Sequence, residues 1–355
     1  MAYTTINKCT SFFNTVLYTG NGSTNAITGA GFQPDFTWLK ARGAANDHQL
    51  YDAVRGATKY LRSESTDGEG TAATGLTAFN SDGFTLGSAG TTNNNSTTFA
   101  SWNWKGGTTS GITTNGSTVI TPSAYSFNTT SGFGIYKYTG NGNTTTKVAH
   151  GLGKVPTMML IKKTSASGDN WMVYTKGVGP DTALQLDNNG STSGGSDRFY
   201  DTTPDTVNFT LGNHTSVNAN GATYIAYIFC DVQGFSQSGL YTGNGNTTSP
   251  TFVYTGFKPH WVLTKPNAAN EAWQLTDLAR DNAVGSNGNG TGARLQPHLS
   301  SAEDSNATWA SVHKYSNGFA PQHDDGVSNL DGRTYIYMAF GQSIVGSNNI
   351  PANAR

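Results

Sequence analysis

Charge is what this chain has least of. Only 12% of its 355 residues are Asp, Glu, Lys or Arg, against roughly a quarter in an average domain. Lys plus Arg number 21 and Asp plus Glu 22. With no excess of cations, the chain has no electrostatic means of capturing nucleic acid or an anionic membrane surface. Cysteine is nearly missing as well: Cys9 and Cys230 stand alone, without a CxxC pair. Neither a disulfide framework nor a zinc site is supported, and the two thiols are expected to pack as small reduced hydrophobes. The longest strongly apolar runs, such as Tyr224 to Cys230, fall far short of the ~18 residues of a membrane helix. The opening MAYTTINKCT has neither a basic flank nor an apolar stretch, so no secretory signal is expected.

Gly, Asn, Thr and Ser fill the place of the missing charge. With 44 glycines, 11% aromatics and a net charge of −1, the composition describes a chain that buries cores under a neutral, turn-rich surface, not a disordered one.

A threefold internal repeat organises the sequence. The string YTGNG occurs at Tyr18–Gly22, Tyr138–Gly142 and Tyr241–Gly245, with spacings of 120 and 103 residues. Each copy is followed by Gly-x-x-Pro, ending at Pro34, Pro156 and Pro259, and six residues later by Lys40, Lys162 and Lys265. Further on comes a turn with Phe84, Phe209 or Phe319. Each unit then closes on an aromatic-rich segment, Phe99–Trp104, Tyr224–Phe229 or Tyr335–Phe340. Length drift falls between the proline and that Phe, where loops absorb insertions.

These landmarks divide the chain into 1–107, a joining segment 108–131, 132–233, 234–341 and an irregular tail 342–355. Short apolar runs between Gly, Pro and Asn punctuation read as strands. Turn signals recur about every ten residues, as in sandwiches and barrels. The fold class expected is all-β: three tandem, structurally similar β-sandwich domains of jelly-roll or lectin-like type. Tyr51 to Arg62 invites a helix, but its counterparts contain Gly177, Gly179, Pro180 and the run Gly285 to Gly292. A shared helix would not tolerate these, so strand, turn, strand is expected. The joining segment is read as a linker able to add a strand.

The repeated residues are read first as folding signals. Tyr18, Tyr138 and Tyr241 end strands with the ring on the core. Gly20 and Gly22, Gly140 and Gly142, Gly243 and Gly245 supply positive φ angles for a tight turn. Pro34, Pro156 and Pro259 fix φ and block ladder pairing at the entrance of the next strand. Three similar units are expected to arrange about a pseudo-threefold axis.

Chemistry is sparse. The only glutamates are Glu64, Glu69, Glu271 and Glu303, and a glycosidase needs a positioned carboxylate pair. Seven histidines form no HExxH, and no GxSxG elbow accompanies them. His150 is expected to hydrogen-bond the turn before its strand. His323, Asp324, Asp325 and Asp331 form the most cation-like cluster, yet such loops usually solvate themselves; no metal and no cofactor are assigned. Asp52 and Arg55 match Asp277 and Arg280, while the second unit has Thr175 and Val178; an ion pair or turn clamp is expected. Trp38 and Trp261 read as core. Trp171 and Trp273, beside Asn170 and Glu271, are the candidates for a rim that contacts glycan or a partner.

The strings MAYTTI, LYTGNGSTNAITGAGFQPDFTWLKAR, LYDAVRGATKYL, LTAFNSDGFTLGS, SWNWKGG, HGLGKVPTMMLIKK and NNIPANAR resemble a family of virion surface proteins of tailed bacteriophages, of marine-phage and tail-fibre type. The resemblance implies a virion structural or adhesion module without attached chemistry, made in the bacterial cytoplasm and assembled on the particle exterior. The expected role is a tail fibre or appendage contributing to attachment to host-surface glycan. A capsid or tail decoration protein is the alternative, and a glycan depolymerase using Glu64, Glu69 and Glu271 a third reading. Expected partners are other virion proteins and host-surface polysaccharide, with an oligomer or symmetric array, no nucleic acid and no membrane insertion.

Overall fold

A computed structural model describes residues 3–280, 292–304 and 312–346. Gly285 to Thr291, Trp309 and the NNIPANAR ending lie outside the described residues. The fold is all-β, and among the described residues every paired strand is antiparallel to its neighbour within a set of six sheets.

The first unit contains β1 (Phe13–Thr19), β2 (Asn25–Thr28), β3 (Phe36–Ala41), β4 (Gln49–Asp52), β5 (Lys59–Leu61), β6 (Gly70–Thr71), β7 (Leu76–Asn80), β8 (Gly83–Leu86) and β9 (Thr98–Trp104). The second contains β10 (Ala124–Asn128), β11 (Phe133–Thr139), β12 (Thr146–Ala149), β13 (Pro156–Lys163), β14 (Met172–Thr175), β15 (Thr182–Gln185), β16 (Ser193–Gly194), β17 (Asn208–Leu211) and β18 (Thr223–Cys230). The third contains β19 (Ser236–Thr242), β20 (Val253–Tyr254), β21 (Phe257–Pro266), β22 (Gln274–Asp277), β23 (Val312–Tyr315), β24 (Gly318–Pro321) and β25 (Thr334–Ser343).

Each unit has a large and a small sheet. The large sheets share the order β1-β9-β3-β4, β11-β18-β13-β14 and β19-β25-β21-β22, and the small ones are β2-β8-β7, β12-β17 and β20-β24-β23. Registers coincide too: Phe36, Met158 and Trp261 stand opposite Trp104, Phe229 and Phe340 on one side and opposite Asp52, Thr175 and Asp277 on the other. The joining segment contributes β10, which pairs with β11 at the sheet edge. Residues 51–62 form strand, turn and strand. The tail boundary at 342 is corrected: Gln342 and Ser343 still pair with Lys258 and Phe257, so β25 ends later than the aromatic landmark suggests.

The three YTGNG turns have matching backbone surroundings. Tyr18, Tyr138 and Tyr241 donate their hydroxyls to the carbonyls of Thr92, Val217 and Ser328 at 2.6–2.8 Å. The second glycines, Gly22, Gly142 and Gly245, have φ of 67°, 72° and 61°, where a side chain is strained. The first glycines serve space instead of φ. A Cβ on Gly20, Gly140 or Gly243 would meet a backbone carbonyl oxygen at 2.1–2.5 Å, which corrects the expectation that both glycines of each pair adopt positive φ. The approaching backbone belongs to Asn93, Asn218 and Asn329 or to the residue after each. All three asparagines are buried, and each exchanges side-chain bonds with Asn21, Asn141 or Asn244 of the turn. Pro156 opens β13, whereas Pro259 lies inside β21, and both sit at a register shift next to the strand's start.

Both faces of the large sheets are covered. One face meets the unit's own small sheet: Leu39 and Tyr51 cluster with Ile27, Leu76, Phe84 and Leu86 in the first unit. The other face turns toward the two remaining units, in one cluster that includes Phe36, Trp38 and Trp102, Leu160 and Tyr227, Trp261 and Met338. Burial on both faces explains why Met158 to Ile161 reads as continuous apolar sequence with no alternation.

At the centre of that shared cluster stand Trp104, Phe229 and Phe340, the equivalent residues of the three units. Their ring centroids are 6.1, 5.7 and 5.8 Å apart, at interplanar angles of 62°, 75° and 65°. A near-equilateral triangle of equivalent rings marks a pseudo-threefold axis. Contacts around it repeat with the same sense: Phe36 reaches Phe133 of the second unit at 6.2 Å, and Trp261 reaches Phe13 of the first at 6.2 Å.

Candidate functional site

The seams between units hold the most organised polar chemistry. Lys40, Lys162 and Lys265 are buried there. The Lys40 ammonium donates to the carbonyls of Ala41 (3.2 Å), Asn46 (2.7 Å) and, across the seam, Ser300 of the third unit (3.0 Å). Lys265 donates to Pro266 (3.2 Å), Ala269 (3.1 Å) and Asn189 of the second unit (3.1 Å). Lys162 donates to the Asp169 carbonyl of its own loop. Burial lowers each lysine to about 8.

Beside each lysine a ring crosses the seam. Trp171 donates its indole N–H to the Arg62 carbonyl of the first unit, and Trp273 donates to Gln185 of the second, both at 2.8 Å. The first unit carries His48 in the equivalent place. Trp38 donates to His48 Nδ1 at 2.9 Å, which leaves Nε2 protonated to donate to Gln296 of the third unit at 3.2 Å. One contact leaves each unit and one arrives, so the ring is a closed head-to-tail arrangement.

The proposed rim is therefore corrected. Trp171 and Trp273 have no exposed surface; an indole spans the seam and its N–H finds the neighbour's loop carbonyl. Asn170 donates to Asp187 at 2.7 Å, and Glu271 pairs with Arg333 at 3.2 Å. Sequence reading missed His48, because a histidine does not resemble two tryptophans, although all three follow the shared lysine by eight or nine residues.

The Asp–Arg pairs also cross seams. Asp52, paired with Arg55, accepts from the Tyr227 hydroxyl of the second unit at 2.7 Å. Asp277, paired with Arg280, accepts from the Trp102 indole of the first unit at 2.9 Å. Burial pushes the Asp277 carboxyl up, but Arg280 and the bonds from Arg280 and Trp102 hold it below the usual range. Trp102 and Tyr227 correspond to Met338 in the third unit, which has no proton to donate. The acid that would face Met338 under the threefold relation is Thr175, so donor and acceptor are missing together.

Other candidate groups serve the scaffold. His150 accepts from the Leu152 amide and donates to the Asp205 carbonyl at 3.0 Å, tying the turn before β13. Asp325 Oδ1 accepts from the Val327 amide and the Ser328 hydroxyl, shaping the turn that presents Asn329. Glu64 accepts from the His48 amide, and Glu69 pairs with Arg55 and Lys59. Cys9 Sγ lies 3.6 Å from His260 Nδ1, beside a cleft of about 220 Å³. Burial pushes the thiol up to about 12 and the imidazole down to about 4, so the pair is neutral and not an activated thiolate. A second cleft, of about 340 Å³, runs between Tyr60, Arg62 and Glu69 of the first unit and Thr164 to Ser167 of the second. Among the described residues no three His, Cys, Asp or Glu side chains gather as a metal site would require.

A family model described as "Domain of unknown function (DUF7483)" matches residues 8–343. The chain belongs to this family. No curated protein matches it. The matched span runs past all three units to the last residue of β25, so a DUF7483 domain is the whole ring and not one of its thirds.

Buried histidines in and near the seams are expected to make this DUF7483 chain acid-sensitive. Burial, helped by Lys40, holds His48 far below the usual imidazole range; burial takes His260 and His298 down to about 4. Between pH 6.5 and 4 the unfolded chain binds protons that these folded imidazoles refuse, so stability falls with pH across that window. Glu64 opposes them, since burial raises its carboxyl to about 7 and the folded form takes up its proton first. Urea midpoints measured from pH 7 to 4 should fall, and His298→Leu should flatten the slope by close to one proton. An unchanged slope in that variant contradicts the assignment.

Proposed function

We propose that the chain is a non-enzymatic structural protein of the exterior of a tailed-phage particle, forming an appendage that contributes to attachment to host-surface polysaccharide. The observation that carries this reading is the closed ring itself. Its buried charges, rings and amides join one unit to the next, and the carboxylates that a depolymerase reading would use are engaged in scaffold contacts. We infer too that each unit is a β-sandwich of jelly-roll or lectin-like type, supported by the core cluster shared between its large and small sheets. Other virion proteins are the partners, and no cofactor enters the role.

Antibody-labelled electron microscopy of intact particles, with mass-spectrometric copy counting, tests the proposal. Label on the tail at a few tens of copies or fewer is the expected result; a chain missing from purified particles overturns it. The second reading, a decoration protein, is favoured by the pseudo-threefold axis, which matches threefold and local sixfold lattice positions. It requires label on the head at hundreds of copies.

A further inference from the structure

One surface breaks the repeat. On the small sheet of the third unit, Val253, Val312 and Phe319 point inward and are buried. The alternate positions point outward and carry rings. Tyr254, Gly318 and Tyr315 lie in one row across the sheet. Phe252 precedes Val253, and His313 precedes Tyr315 by two residues on the same face. Phe252 and Tyr315 meet edge to face at 5.6 Å and 68°, and the His313 and Tyr315 rings are 6.1 Å apart. Gly318 keeps the floor low, since a Cβ there would meet the Phe252 ring at 2.7 Å. Tyr3 braces the margin, donating to the Gly256 carbonyl at 2.7 Å.

The fold does not need these rings. The positions equivalent to Phe252, Tyr254 and Tyr315 are Ala26, Thr28 and Asn80 in the first unit, and Lys147 and Ala149 replace the first two in the second. Yet Tyr254 is 59% exposed, Phe252 47% and Tyr315 44%. Exposed aromatics gathered into one patch of this kind are often functional.

We propose that this face is a platform for a neutral hexopyranose glycan, a proposal that rests on the attachment reading above. Size argues against a second protein copy. Three half-exposed rings offer roughly 300 Å², well below the ~800 Å² per partner of a stable protein interface. Chemistry argues for sugar. The C–H face of a pyranose is weakly positive and stacks on the negative face of an aromatic ring, while the Tyr254 and Tyr315 hydroxyls and the His313 ring meet its hydroxyls. The five ring side chains described on this face are Tyr3, Phe252, Tyr254, His313 and Tyr315, with no Lys or Arg among them, so these rings offer an acidic sugar no fixed positive charge. A platform this small offers few contacts to each sugar, and many copies on one particle multiply the effect.

The test uses the full chain on an array of neutral gluco-, galacto- and manno-oligosaccharides with polygalacturonate as the acidic comparison, followed by saturation-transfer NMR on the hit. Neutral oligosaccharide binding that weakens at least tenfold in Tyr254→Ala/Tyr315→Ala, with an unchanged thermal midpoint, is expected. Binding to no neutral probe, preference for polygalacturonate, binding indifferent to the double substitution, or a dimer that the double substitution dissolves would each overturn the platform. Particle labelling keeps the two ideas separate: a labelled virion with no glycan binding removes the platform alone, and glycan binding by a chain missing from particles removes the virion role alone.

Discussion

Trp104→Ala is expected to lower the free energy of unfolding by about 4 kcal/mol, the range for truncating a fully buried aromatic ring. The residue is 1% exposed and touches rings from every unit: Phe13 at 4.9 Å, Phe36 at 5.1 Å, Phe229 at 6.1 Å, Trp261 at 5.8 Å and Phe340 at 5.7 Å. Rigid strands on all sides limit collapse into the hole, which places the cost toward the upper part of the range. Trp104→Phe should cost far less, because phenylalanine already occupies the equivalent place in the other two units. Guanidinium titrations of the two variants read the difference. Similar losses from both would show that the axis is loosely packed and that the triangle of rings is not what joins the units.

Asp277→Ala should cost about 3–5 kcal/mol, the penalty for removing one member of a buried ion pair. Arg280 is then left with no exposed side-chain surface and without its closest partner, although Glu303 at 2.8 Å keeps part of its compensation. Trp102 loses its acceptor in the same step. Removing the arginine as well, in Asp277→Leu/Arg280→Met, should recover much of the loss, because a buried pair is replaceable by apolar groups of similar volume. A single substitution as mild as the double would mean that the pair is hydrated in solution.

Much of this architecture was legible in the residues, and the reasons are local. YTGNG, Gly-x-x-Pro and the closing aromatic segments are turn and strand signals that act within a few residues, so their repetition carried the division into three similar units and the axis, while the order of strands within each sheet came only from the structure. The buried asparagines left a signal that went unread: Asn93, Asn218 and Asn329 each stand six residues before the closing aromatic segment of their unit. The seams were harder. Trp171 and Trp273, flanked by Asn170 and Glu271, resemble a rim because their neighbours along the chain are polar, while what buries them comes from other units. The platform of Phe252, Tyr254 and Tyr315 was hidden for the complementary reason: its members are separated by some sixty residues and meet only through β24.

Joining three near-copies in one polypeptide has a geometric consequence. A trimer of identical subunits must display any feature three times, whereas this chain displays its aromatic face once and its Thr175–Met338 seam once. Seated on a strictly symmetric socket, such a molecule has three rotational settings of nearly equal fit, each aiming the lone face along a different bearing. Averaging over those settings would blur the rings at Phe252, Tyr254 and Tyr315 while leaving the central triangle sharp.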